Sequence, residues 1–209
     1  MRAQATVEAQ SGRSVLSPEV QIALAPDKAY RALVAGREDV GFWRMLRRPL
    51  VVLVVIATAV PIMAVQRITL ALFAFSAASF GFVLLIQMAV GAGIIASAPA
   101  RRTSMARALD LWFAAHLPYS LWLLTMAAAF AVRSWGSLDM LVVLAVIPAS
   151  WTAVIVAAFC RQVLDSSRAG ARWRAAAHFV VIWAIAFEIV ALSAGGWFQI
   201  TGSVERLFA

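Results

Sequence analysis

Residues 49–102 read PLVVLVVIATAVPIMAVQRITLALFAFSAASFGFVLLIQMAVGAGIIASAPARR, and this stretch decides the fold. Between Pro49 and Ala100 it carries a single charge, Arg67, and it closes on Arg101 and Arg102. Apolar runs of this length cross bilayers, because about 20 residues at 1.5 Å each cover a hydrocarbon core of roughly 30 Å. Arg67 divides the run into a first span over about 49–66, with Pro61 near its outer end, and a second from 68 to about 98. The 31 residues of the second would reach about 46 Å. It must therefore tilt, project beyond the core, or break at Gly91-Ala92-Gly93. Its Ala77, Gly81, Ala89 and Gly93 are spaced for close helix packing.

Three further apolar stretches follow, over about 110–132, 138–160 and 175–196. The expected fold is all-α: a polytopic transmembrane bundle of about five spans over residues 49–196. Residues 1–48 form a cytoplasmic segment with short interfacial helices, and 197–209 a short extracytoplasmic tail. In the first segment, Ser17-Pro18-Glu19 marks a helix start, with Ser17 as cap and Pro18 in the first turn. Pro26-Asp27 marks a second, ended by Gly36. Phe42, Met45 and Leu46 fall on one helical face and Arg44, Arg47 and Arg48 largely on the other, a pattern suited to the headgroup layer.

Charge sets the orientation. Of the 18 Lys and Arg residues, eight precede Pro49, three (Arg101, Arg102, Arg107) follow the second span, and four (Arg161, Arg168, Arg172, Arg174) follow the fourth. The opposite side has Arg67, Arg133 and Arg206. Basic residues are retained on the cytoplasmic side, so the N-terminus is expected inside and the C-terminus outside. Trp135, Trp173 and Trp197 lie near span boundaries, where interfacial aromatics collect. The net charge of +8 is accounted for in this way, without nucleic acid as a partner. Its 63% hydrophobic and 13% charged residues fit lipid surroundings, since soluble domains carry about a quarter charged. Seventeen of the basic residues are Arg, a bias suggesting a GC-rich bacterial genome and placement in the inner membrane. No removable signal peptide is expected.

Few residues carry candidate chemistry. Glu188 lies inside the fifth span, on a face with Ala184, Ala191 and Gly195. Intramembrane acids face a bundle interior or a watery route, so Glu188 is either a hydrogen-bonded packing residue or an ion site. His116 precedes Leu117-Pro118-Tyr119, where proline removes a backbone donor, and a small polar site with Gln87 or Glu188 is conceivable. His178 is expected at the headgroups. Two histidines without a paired acidic spacing make no metal motif. Arg107 and Asp110 are spaced to pair, as are Asp165 and its neighbours Arg161 and Arg168. Arg44, Arg47, Arg48, Arg101, Arg102, Arg168, Arg172 and Arg174 are the candidate lipid-headgroup ligands. The lone Cys160 excludes an intrachain disulfide. No phosphate loop, nucleophile elbow or zinc-protease helix is present, so neither catalytic residues nor cofactors are expected.

Ala106-Arg107-Ala108-Leu109, Ala114-Ala115-His116-Leu117-Pro118 and the earlier Leu24-Ala25-Pro26-Asp27-Lys28-Ala29-Tyr30 carry a family likeness. Over about residues 20–196 the chain resembles bacterial members of the Yip1 family of five-span membrane proteins. The Asp-Leu-Tyr-Gly-Pro motif of eukaryotic members is absent. The resemblance therefore implies a membrane-organising or accessory role and not GTPase-linked trafficking. A non-enzymatic scaffold or accessory subunit is the expected function, with membrane lipids and other membrane-protein subunits, or further copies of the chain, as partners. A small transporter or channel subunit using Glu188 is the alternative. A lipid-modifying enzyme has the least support, because acids, bases and metal ligands are not clustered.

Overall fold

The structure, a computed structural model, describes residues 16–36, 40–132 and 138–184. Helices and their connections account for all of these, with no strand among them. Four helical stretches are long and apolar enough to cross a membrane: Phe42–Val65, Leu70–Ala96, Met105–Val132 and Val143–Gln162. The chain thus has the character of a multi-pass membrane protein. The expected fifth span, 175–196, lies only partly within the described residues, the last of which form a helix over 168–184.

Two short helices come first. Helix α1 (Pro18–Leu24) is capped by Ser17, whose Oγ accepts from the Val20 N–H at 3.4 Å. Pro26 lacks the N–H that would continue it, and α2 (Pro26–Ala35) begins there on a new axis. Helix α3 (Phe42–Val65) contains both Pro49 and Pro61. The arginine-rich turns at Phe42–Arg48 and the apolar first span are therefore one helix, whereas the sequence suggested a boundary at Pro49. A proline deletes one backbone bond, and here Pro49 is buried while Arg48 beside it is held from two sides.

Helix α4 (Leu70–Ala96) is capped by Thr69 and runs unbroken through Gly91-Ala92-Gly93. At 27 residues it is about 40 Å long, so it projects or tilts and does not break. Gly91 serves close packing. A Cβ there would lie 2.8 Å from Trp112 Nε1, so the missing side chain is what admits the indole. Helix α5 (Met105–Phe113), capped by Ser104, tightens into a 3₁₀ turn at Ala114–His116 before α6 (Leu117–Val132). Pro118 explains the tightening, since it cannot donate to the Ala114 carbonyl four residues back. Helices α7 (Leu138–Gln162) and α8 (168–184) follow.

Helix α3 is central and packs against α4, α5 and α6, while α2 lies on α7. One end of the bundle is the denser. There Ile22 and Tyr30 of the N-terminal helices, the apolar residues of 108–115, Ile155, Val156 and Phe159 of α7, and Val163 and Leu164 just after it form one buried core. Edge-on ring contacts join Tyr30 to Phe159 at 5.6 Å and Phe159 to Trp112 at 5.3 Å. The basic connections gather at this end too. Arg102 pairs with Asp165 and donates its backbone N–H to the Val163 carbonyl, while Arg161 pairs with Asp27. The loops after the second and fourth spans therefore share a side with α1 and α2. Elsewhere large apolar side chains point outward, among them Val54, Phe82, Leu85, Leu124, Val146 and Val154, as lipid-facing surfaces require.

Candidate functional sites

Two cavities collect most of the polar chemistry. The first, of about 470 Å³, lies where α1, α2 and the starts of α3 and α5 meet. Four guanidiniums line it (Arg44, Arg47, Arg48, Arg107) against two carboxylates (Glu19, Asp110). Arg48 is the most committed of the four. Its Nη2 and Nε donate to Glu19 Oε1 at 2.8 and 3.0 Å, and its Nη1 pairs with Asp110 and also donates to the Asp110 carbonyl at 3.2 Å. Arg107 Nη1 reaches the other Asp110 oxygen at 3.1 Å. Asp110 is only 5% exposed, so these two arginines balance a buried charge. Burial pushes the Glu19 carboxyl up, but its own backbone N–H and the Arg48 guanidinium outweigh this and leave it below its ordinary value. Arg44 and Arg47 are more exposed and stand on the outer turn of α3. Among the described residues the lining thus holds four guanidiniums and two carboxylates, with Arg44 and Arg47 at its rim next to the exposed Phe42 and Trp43.

The second cavity, of about 170 Å³, lies between the spans and brings His116 and Gln87 together. Glu188 is outside the described residues. The structure adds two groups that sequence reading missed, His178 and Thr152. His178 was expected at the headgroups but is 3% exposed, and its ring centroid is 6.4 Å from that of the 5%-exposed His116. Trp112 stands edge-on to His178 at 4.8 Å, and Phe113 stacks on His116 at 5.2 Å. The signal was present in the spacing. Ala171 and Ala175 precede His178 by seven and three residues, and all three are buried on one side of α8. Gln87 Oε1, His116 Nδ1, His178 Nδ1 and Thr152 Oγ1 are buried with no hydrogen-bond partner among the described residues. The His116 imidazole also lies near the backbone of Trp112 and Phe113.

The remaining basic candidates divide. Arg102 is tied to Asp165, and Arg174 donates to Ser166 Oγ at 3.1 Å and to the Ser97 carbonyl at 3.3 Å, so both clamp loops. Arg101, Arg168 and Arg172 are exposed at the same end. The local pairing expected for Asp165 is replaced by a long-range one. Asp165 takes a left-handed backbone (φ 51°) that turns it towards Arg102, and Arg161 instead reaches across to Asp27 at 2.7 Å. Among the described residues no three His, Cys, Asp or Glu side chains come together in a group suited to a metal ion. No protein-family model, curated protein or solved structure matches the chain.

Proposed function

We propose that the chain is a non-enzymatic, five-span protein of a bacterial inner membrane that acts as a scaffold or accessory subunit. Its basic end would face the cytoplasm and hold anionic lipid headgroups while neighbouring membrane proteins dock on the spans. One observation carries this reading: the arginine-lined cleft, whose two inner arginines are fixed by Glu19 and Asp110 while Arg44 and Arg47 stand at its rim. The exposed Trp43 and Trp173, 79% and 77% accessible, suit the headgroup layer on the same side. The arginine asymmetry and the Yip1-like layout support the same orientation.

The test is flotation of the reconstituted protein's soluble-labelled headgroup analogues, or lipid co-purification, with phosphatidylglycerol against phosphatidylcholine. Each basic side chain near an anionic surface contributes about 1 kcal/mol. Replacing Arg44 and Arg47 together with Gln should therefore weaken phosphatidylglycerol retention by roughly thirtyfold and leave phosphatidylcholine retention unchanged. Equal retention by the double variant would remove the basis for the lipid-holding role.

A second function, as a small transporter or channel subunit, draws on the meeting of Gln87 and His116 between the spans. It makes its own demand on Glu188. Glu188→Gln keeps volume and hydrogen-bonding capacity but cannot ionise. Loss of proton-dependent flux in that variant, with intact assembly, would favour transport over the accessory role.

A further inference from the structure

The cavity holding His116 and His178 lies beside Val52 and Ile56 of α3 and Val83 and Gln87 of α4, within the membrane-crossing stretches. Its walls mix aliphatic side chains (Val52, Ile56, Val83, Leu123 and Ile182) and aromatic ones with a set of polar groups: two imidazoles, an amide, hydroxyls and an indole. That combination, apolar walls with a small number of convergent polar groups, is the usual composition of an organic-ligand site. The described lining holds no carboxylate, guanidinium, ammonium or thiol. Among these described residues an ionic ligand finds no countercharge, and burying an uncompensated charge is costly. For a metal ion the described residues offer two histidines and no larger ligand group.

Size narrows the class further. A volume of about 170 Å³ is below the 300–1,000 Å³ of drug-sized pockets and corresponds to roughly five or six waters, the scale of one substituted six-membered ring. Tyr119, Phe179 and Trp183 add aromatic surface to the wall. Imidazole N–H groups, the Gln87 amide N–H and the hydroxyls can donate to a carbonyl, and the unpaired Nδ1 atoms of His116 and His178 and the Thr152 hydroxyl favour a ligand that pairs with them. We propose that this cavity binds the head of a neutral lipophilic molecule with hydrogen-bond-accepting carbonyls, of the quinone class, entering from the bilayer. Binding alone is proposed. It is independent of the headgroup cleft and of any transport by Glu188.

Decyl-substituted benzoquinone is the probe and decylbenzene, with the same tail and ring but no acceptors, the control. The full chain in nanodiscs is titrated with the quinone, alone and with excess decylbenzene, and quenching of tryptophan fluorescence is read. Saturable quenching by the quinone that decylbenzene does not displace is the expected result. His116→Leu and His178→Leu should each weaken quinone binding about tenfold, the loss of one hydrogen bond. Should a histidine variant fail to fold, Val83→Phe fills the cavity from its apolar wall without touching the polar groups, and should abolish saturation. Displacement of the quinone by an equal concentration of decylbenzene would overturn the proposal, because the site would then be a non-selective acyl groove. So would a quinone affinity that stays unchanged in the folded variants.

Discussion

Gly91 and Gly93 stand two positions apart on α4 and do different things. A Cβ at Gly93 meets nothing within 4 Å, whereas one at Gly91 runs into the Trp112 indole. Alanine gains roughly 1 kcal/mol over glycine inside a helix. Gly93→Ala should accordingly leave thermal unfolding in detergent unchanged or shift it upward. Gly91→Ala should lower it, because overpacking costs about 1–3 kcal/mol and the indole is fixed between Phe159 and His178. Equal midpoints for the two variants would mean that α4 and α5 can separate at little cost. From the sequence the pair read as one weak point, since both glycines lower helix propensity and only the partner across the interface distinguishes them. Arg48 makes the same point for charge. It read as a headgroup ligand, but Asp110, 62 positions away, turns it inward. Removing one member of a buried pair costs about 3–5 kcal/mol. Arg48→Gln should therefore lower the unfolding midpoint more than Arg47→Gln, and combining it with Asp110→Asn should recover part of the loss.

At the scale of elements, the Ser17 cap and the apolar stretches were legible because they are local. Ser17 caps α1 as expected, whereas Thr69 and Ser104, which cap α4 and α5, and the 3₁₀ turn before Pro118 emerge only from the structure. What fixes α1 and α2 in place was not legible, because every contact is long-range. Tyr30 donates to the Leu111 carbonyl at 3.3 Å, Trp151 Nε1 donates to the Ala23 carbonyl at 2.9 Å, and Arg161 holds Asp27. The last contact gives the docking a pH dependence. The Arg161 hydrogen bond, only partly opposed by burial, draws the Asp27 carboxyl below its ordinary value of 3.8. A depressed carboxyl contributes stability above its unfolded value and loses it as the pH falls through the folded one. Glu19, also lowered from 4.5, acts with the same sign. Protection of residues 18–35 against amide exchange should thus persist at neutral pH and decline on acidification below about pH 4. Asp27→Asn should flatten part of that decline. The effect is small, because the Asp27 side chain is 44% exposed and screened by solvent. Protection unchanged down to pH 2 would assign the docking to Ile22, Tyr30 and Trp151 alone.

For the whole molecule, the two ends of the bundle differ in kind. One is a packed core with ion pairs and clipped loops, and the rest is a set of spans with outward-facing apolar side chains. The lipid-holding role and the placement of α1 and α2 in the cytoplasm both rest on the first end being inside. Reporters inserted near Arg102 or Ser167 and one fused after Ala209 measure this in intact cells. The expected result is a cytoplasmic signal at the first two positions and an extracytoplasmic signal after Ala209. A cytoplasmic signal after Ala209 would contradict five spans, and an extracytoplasmic signal at Arg102 or Ser167 would put the arginine cleft on the wrong side of the membrane.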